Sequence, residues 1–284
     1  KSFRNRKGVN MNQNQQKFAE TEAFFRCPSC GGEMHVENGS FLCANRHCYD
    51  ISAKGYVNFL TGQPGHRTKY SKELFESRSR ILQAGFYDAV LDKIKEIAGS
   101  SLEKGGSILD AGCGEGFYAK ALSREFMVFA LDNAKEAVQM AARGGGDVRW
   151  TVADLAHVPL GGHSMDMVLN LLTPANYTEF NRILKPDGIM LKVIPGKDYL
   201  RQIRESVSDQ LVKKDHSSEN TIALFQENMA LIEQSEIHYT LPVDKASGED
   251  FFQMTPMTFH VDTERIHKID SITIDLIFLL GRKK

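Results

Sequence analysis

Two groups of residues in this chain have the types and spacing to do chemistry. The first is Cys27, Cys30, Cys43, His47 and Cys48. Cys27-Pro28-Ser29-Cys30 is a C-x2-C knuckle, and Cys43 follows thirteen residues later with His47 and Cys48 behind it. Thiolate and imidazole donors at this spacing suit a tetrahedral Zn²⁺ ion. Cys27, Cys30 and Cys43 are read as ligands, and spacing alone leaves His47 and Cys48 open as the fourth. No Glu stands by as a catalytic partner, so the metal is read as structural. It would replace the hydrophobic core that a unit of about 40 residues cannot build.

The second group is Ile108-Leu109-Asp110-Ala111-Gly112-Cys113-Gly114-Glu115-Gly116, three glycines between a short apolar run and a helix pattern. Glycines there permit a tight turn and a close approach of ligand to backbone, at the carboxyl end of a strand where open α/β sheets bind ligands. The dinucleotide fingerprint would be G-x-G-x-x-G, but Phe117 stands where its third glycine belongs. Asp110 suits a ligand with an amino group and a sulfonium cation and would be a poor neighbour for pyrophosphate. Asp132 closes the second strand, placed to accept from two ribose hydroxyls. Asp154, followed by Leu155, closes the third, where a carboxylate can accept from an adenine amine. With Gly112, Gly114, Gly116 and Phe117 these residues read as a pocket for S-adenosylmethionine. Cys113 reads as a small packing residue.

The elements that must position these groups follow from periodicity. Strands are expected at 107–110, 127–131, 148–152, 165–171 and 189–193, with helices at 117–124, 134–142 and 176–184 between them. Leu184-Lys185-Pro186-Asp187-Gly188 is expected to turn into the fifth strand. Such βαβ alternation predicts a mostly parallel sheet covered on both faces. Further helices are expected near 198–213 and 219–233, then strands near 236–243 and 272–280. The expected organisation is a flexible lead (1–23), a zinc-binding domain (24–62), a linker and anion-facing loop (63–80) and an α/β domain (81–284).

The chain has 284 residues, is 42% hydrophobic and carries a net charge of −1. It shows no run of about 18 apolar residues and no signal peptide, so a cytoplasmic protein without a membrane span is expected. The charge is unevenly spread. Residues 1–80 hold thirteen Lys/Arg against seven Asp/Glu, a net of +6 that leaves −7 for the rest. Four of these cations lie in residues 1–7, but Arg46, Lys54, Arg67, Lys69, Lys72, Arg78 and Arg80 do not. The asymmetry points to an anionic partner for the N-terminal part.

The acids and the glycine turn together resemble the class I methyltransferase family, whose fold is a Rossmann-like, seven-stranded, mostly parallel sheet. The order of motifs narrows this further. A zinc-ribbon-like knuckle, then Gly55-Tyr56-Val57-Asn58, then Ala84-Gly85-Phe86-Tyr87, then the donor turn, and late in the chain Gln253-Met254-Thr255-Pro256, is similar to the RlmA-type 23S ribosomal RNA guanine-N1 methyltransferases. The resemblance covers roughly 24–280. It implies His47, four residues after the third cysteine, as the fourth zinc ligand. It implies that Tyr87, and Tyr199 after Pro195-Gly196, line the donor pocket. It also implies a guanine in a stem-loop of 23S rRNA as target, a homodimer, and a link to the Gram-positive branch associated with tylosin resistance.

Guanine N1 is protonated near neutrality, and stripping a proton whose pKa lies about two units above 7 costs roughly 3 kcal/mol. A base, or donors to the developing O6 charge, would help. The place after the fourth strand reads Asn170-Leu171-Leu172-Thr173-Pro174-Ala175, without the acid and aromatic clamp of many amine methyltransferases. Asn170, which also borders the donor pocket, and Asp198 are the candidates for a catalytic role. Asp166 reads as structural, and no general base is assigned. RNA would be held by the zinc unit and by His66, Arg67, Lys69, Lys72 and Arg78. The competing readings are a small-molecule methyltransferase and a zinc-dependent RNA-binding protein without catalysis. The positive knuckle argues against the first, and the intact acids Asp110, Asp132 and Asp154 against the second.

Overall fold

The computed structural model describes residues 3–4, 10–60, 70–208, 218–258 and 269–284. Along the chain come β1 (Phe3–Arg4), β2 (Asn10–Met11), α1 (Gln13–Ala19), β3 (Met34–Glu37), β4 (Ser40–Cys43), β5 (Cys48–Asp50) and β6 (Tyr56–Asn58). Then follow α2 (Lys72–Gln83), α3 (Asp88–Ser101), β7 (Ser107–Ala111), α4 (Phe117–Leu122), β8 (Met127–Asp132), α5 (Lys135–Arg143), β9 (Val148–Val152) and β10 (Met165–Leu171). The chain ends with α6 (Tyr177–Ile183), β11 (Leu184–Pro195), α7 (Arg201–Ser206), α8 (Ser218–Asn228), β12 (Met229–Pro242), α9 (Lys245–Gln253) and β13 (Ser271–Lys283). No helix among the described residues is long and apolar enough to cross a membrane.

Contacts divide the chain into two units. The first holds Lys1–Thr68, Leu102–Ile189 and Lys283; the second holds Lys69–Ser101, Met190–Arg282 and Lys284. The cysteine-rich segment and the donor strands therefore share one unit, and strand β11 contributes its first half to the first unit and its second half to the other. The expected boundaries at 62 and 80 separated by sequence what contacts group differently.

In the first unit the strand order is β10-β7-β8-β9-β6, with β7 parallel to β10 and to β8, and β9 parallel to β8 and to β6. Every residue of β7 and β9 is buried, as expected for parallel strands covered on both faces. Strand β6 is an addition to the expected sheet of seven. It pairs Tyr56 with Trp150 and Asn58 with Val152, and Gln139 on α5 bonds its Tyr56 hydroxyl at 2.9 Å. Strands β3, β4 and β5 form a separate antiparallel sheet that carries the cysteines.

The two sheets are joined by aromatic packing. Phe25 lies 4.7 Å from Phe41, 5.7 Å from Phe129 and 6.1 Å from Phe59, ring centre to ring centre. Phe18 reaches Phe25 and Phe41, and Phe24 reaches Phe129 at 5.0 Å. Phe18, Phe25 and Phe41 are wholly buried. Backbone bonds run alongside: Arg26 N–H donates to Pro159 O, Gly161 N–H to Phe24 O, and Phe59 N–H to Val152 O. The segment expected as a flexible lead differs from 13 onward. Asn12 caps α1, its side chain accepting from Gln15 N–H while Gln15 reaches back. That capping box starts a helix whose Phe18 is drawn into the aromatic cluster.

In the second unit the strand order is β12-β13-β11. Helices α2 and α9 pack there through a charged pair, with Arg80 Nε donating to Asp250 at 2.8 Å, and through Ser77 Oγ donating to Gln253 at 2.9 Å. From Leu184 onward four elements depart from expectation, one being the helix expected near 198–213, which is formed over Arg201–Ser206 and has ended by Val207. The turn at 184–188 already belongs to β11, exposed only at Pro186 and Asp187; proline's fixed φ suits an extended start. The helix expected through 233 ends at Asn228, and β12 begins at Met229. Helix α9 was not foreseen; its start is fixed by Asp244, whose side chain accepts from Ser247 N–H.

Replacing Phe25 by Ala removes a ring from a fully buried cluster and is expected to cost about 3–5 kcal/mol. Urea denaturation followed by both far-UV signal and the single Trp150 should show one shifted transition. A change below about 1 kcal/mol, or two separate transitions, would mean that the aromatic cluster does not join the two sheets.

Candidate donor and metal sites

The cysteine cluster forms where the turn after Phe25 meets the β4–β5 loop. Cys27, Cys30, Cys43 and His47 bring their ligating atoms within 4.8 Å of one another. Cys27 and Cys43 each place Sγ 3.4 Å from His47 Nδ1, and the Cys30 and Cys43 sulfurs are 3.8 Å apart. A tetrahedral ion with Zn–S and Zn–N bonds of about 2.3 and 2.0 Å requires edges of about 3.8 Å between sulfurs and about 3.5 Å from sulfur to nitrogen. The cluster therefore fits zinc, and it contains His47; Cys48 lies exposed on β5, outside it. The Gly32 backbone N–H, with Asn45, holds the Cys30 thiol down at about 6, which favours the thiolate that a metal needs.

The donor turn is set by β7, β8 and the start of α4. Gly112 and Cys113 N–H both donate to Leu131 O, at 2.8 and 3.0 Å. Gly116 has φ +81°, and a Cβ there would fall within 2.6 Å of the Trp150 ring and 2.9 Å of Ala141. Only glycine lets the turn seat so closely on the sheet. Asp132 accepts Gly114 N–H at 2.9 Å on one oxygen and Ala134 N–H at 2.8 Å on the other. A carboxylate oxygen can accept more than one donor, so these backbone bonds do not by themselves bar a ligand.

Asp110 is 3% exposed, and its Oδ2 has no hydrogen-bond partner among the described residues. Burial, followed by the charges of Asp132 and Glu115, pushes its carboxyl up to about 7. A buried acceptor without a donor is costly, so the turn fits a ligand that brings a cationic N–H group. Glu115 was not singled out by sequence although it sits between two of the glycines; its position in the turn was the available signal. Cys113 is buried, and burial raises its thiol well above the usual range, which keeps it neutral.

The remaining candidates are placed as follows. Asp154 begins the turn after β9 and accepts Ala156 N–H at 2.9 Å; Leu155 beside it is half-buried, as is Phe117 at the start of α4. Asn170 is fully buried at the end of β10, and its amide donates to Ala111 O and Pro174 O at 3.2 and 3.3 Å. It thereby ties the end of β7 to the loop after β10. Asp166 accepts from Lys185 and from Ser107 N–H and Oγ, at 2.8, 2.9 and 2.8 Å, as a structural carboxylate does. Tyr87, Tyr199 and Asp198 belong to the second unit. There the two tyrosine hydroxyls are 2.8 Å apart, and Asp198 N–H donates to Asp275. Of the proposed RNA-facing side chains, His66, Arg67 and Lys69 lie outside the described residues. Lys72 pairs with Glu76, and Arg78 lies over the Phe75 ring.

Cobalt loaded in place of zinc is expected to give the visible absorption of a tetrahedral thiolate site. Cys43→Ser and His47→Ala should alter that spectrum, whereas Cys48→Ser should leave it unchanged; a change with Cys48→Ser alone would reassign the fourth ligand.

Comparison with known proteins matches the two segments that carry these residues. A family model described as "Methyltransferase domain" matches residues 108–188, and a zinc-ribbon model described as "RlmA, N-terminal" matches residues 25–69. The YcgJ protein of Bacillus subtilis, a solved structure, superposes on 68% of this chain and 97% of its own with a TM-score of 0.48 and 20% identity. A Streptomyces fradiae protein, named "23S rRNA (guanine(748)-N(1))-methyltransferase", is 26% identical over 91% of this chain and 96% of its own length. A Bacillus subtilis protein, named "Putative 23S rRNA (guanine-N(1)-)-methyltransferase YxjB", is 34% identical over 92% of this chain and 98% of its own length. With a ribbon model and a methyltransferase model both matched in it, and a relative 34% identical over nearly the whole of both chains, this chain belongs to the RlmA family of S-adenosylmethionine-dependent 23S rRNA (guanine-N1)-methyltransferases.

Proposed function

We propose that this chain transfers a methyl group from S-adenosylmethionine to N1 of a guanine in a stem-loop of 23S rRNA. The observation that carries the acceptor is the full-length similarity to relatives named for that reaction. The donor side is supported by the unpartnered Asp110 oxygen within the glycine turn. S-adenosylmethionine supplies an electrophilic methyl on a sulfonium cation.

The residues of the chain bind and orient. Asp110, lined up with Glu115 and Asp132 in a negative turn, takes the amino group of the donor. Gly112, Gly114 and Gly116 keep side chains out of its path, and Phe117 borders it. Asp132, at the end of β8, takes the ribose hydroxyls, and Asp154 with Leu155 takes the adenine. Asn170 acts by holding the β7 end and the loop after β10 in register. Orientation of N1 against the methyl is then the main source of acceleration. On the acceptor side, exposed Arg46 and Lys54 on the ribbon supply phosphate contacts, and the target guanine is extruded from its loop. The reading places the protein in the cytoplasm, where its rRNA substrate is made.

Incubating the protein with labelled donor and 23S rRNA should place label at one guanine and create a reverse-transcription stop there. Label on another atom or base, or donor turnover without RNA labelling, would overturn the acceptor assignment.

The raised Asp110 carboxyl also sets a pH dependence. In the fold it is pushed up to about 7, well above the ordinary carboxylate value of 3.8. The ligand-free fold therefore holds this proton more tightly than the unfolded chain does, and this group's contribution to stability falls as pH rises from about 4 to 7. Donor binding runs the other way, because an ammonium pairs with the ionised carboxylate. Calorimetry should show donor affinity falling as pH drops below 7, by up to about tenfold per unit, and flat just above. Asp110→Asn should weaken the donor by about tenfold to a hundredfold and remove the pH step. A pH step that persists in this variant would assign it to another group.

A further inference from the structure

Away from the donor turn, a second set of ligating side chains converges within the second unit. Asp198 in the segment after β11, His238 on β12 and Asp275 on β13 bring their ligating atoms within 4.8 Å of one another. Asp275 is 8% exposed, and His238 Nδ1 stands 3.5 Å from its Oδ1, with the imidazole 55% exposed.

Backbone contacts force the two carboxylates together. Asp198 N–H donates to Asp275 Oδ2 at 2.7 Å, and Gly196 N–H donates to the Asp275 carbonyl at 2.8 Å. Gly196 is seated directly against the carboxylate, where a Cβ would fall 2.5 Å from Oδ1. The Gly196 bond is made by backbone alone and the Asp198 N–H favours the ionised form of Asp275, so two acidic side chains are held at one spot. The cations facing them hold on only loosely. Arg201 Nη1 is 3.9 Å from Asp198, and its Nε is shared with Glu205 at 3.9 Å. Both separations exceed hydrogen-bonding distance.

We propose that Asp198, His238 and Asp275 form a binding site for a divalent cation of the Mn²⁺ or Zn²⁺ type, separate from the thiolate cluster. Two carboxylates and one imidazole, with the remaining positions left to water, are a donor set for hard to borderline ions. The cysteine cluster is a soft set of opposite preference, so Mn²⁺ distinguishes the two. An ion here neutralises the carboxylate pair and ties the segment 196–200 to β12 and β13. That segment carries Tyr199, whose hydroxyl is bonded to Tyr87, so the ion would also fix the buried tyrosine pair.

The test uses the full chain with its thiolate site filled by zinc and loosely held metal removed. Mn²⁺ is titrated in and the free ion is followed by electron paramagnetic resonance, with thermal melting in parallel. The expected result is one Mn²⁺ bound per chain beyond the zinc, a higher melting temperature, and binding weakened by about tenfold or more in His238→Ala and in Asp275→Asn. His238 is an exposed strand residue, so that variant keeps the test decisive if Asp275→Asn does not fold. No Mn²⁺ uptake, or uptake equal in wild type and His238→Ala, would overturn the proposal and leave the cluster as an ion pair.

Discussion

The packing of Phe25 between the rings of Phe41 and Phe129 joins two structures that cannot close a core separately. The three-stranded cysteine sheet is too small to bury enough apolar surface alone. A metal ion can fix its knuckles at one end, but it does not cover the Phe41 ring on β4. The parallel sheet has the complementary problem: β8 presents Phe129 on a face that needs a cover. Phe18, Phe24 and Phe25 supply it, and each such ring, once fully buried, contributes roughly 1.5–3 kcal/mol. Metal and apolar burial are therefore successive supports of one unit, the ion ordering the knuckle and the knuckle covering the sheet.

At the other end of the same strands the physics is electrostatic. Asp110, Glu115 and Asp132 surround one turn, and burial raises the Asp110 carboxyl toward neutrality. An arrangement selected for stability alone would not bury two acids, Asp110 and Glu115, beside the half-buried Asp132. It makes sense when a cation completes the site, because the attraction inside a low-dielectric pocket exceeds that at the surface. Asp132 is only part of this account, since both its oxygens already take backbone donors. Its visible role is to hold the glycine turn.

Much of this was legible in the sequence because the responsible signals are local. The buried strands β9 and β10 fall at 148–152 and 165–171, as their apolar runs predict. Asp110, the glycines and the cysteine knuckles carry their chemistry in their spacing. What escaped is non-local. Three residues of β6 give no hint that they pair with β9. The segment 229–233 has a helix former's composition, yet strand pairing claims it, as tertiary context often overrides propensity. Helix α9 contains Gly248 and Ser247, poor helix formers, and is marked locally only by its Asp244 cap. Trp150, the floor beneath Gly116, reads from sequence as one more core residue.

Strand β8 links the two physical themes. Its Phe129 meets the rings of Phe24 and Phe25, and three residues on, Asp132 grips the donor turn through Gly114. In an extended strand those positions lie about 10 Å apart and point to opposite faces. A strand paired on both sides, with β7 and with β9, does not bend freely over that span. The cover built on the metal knuckle and the carboxylate that orders the glycine turn are thus fixed to one rigid element. Besides any phosphate contacts, the ribbon thus has a structural role: it covers the Phe129 face of the strand whose opposite face carries Asp132.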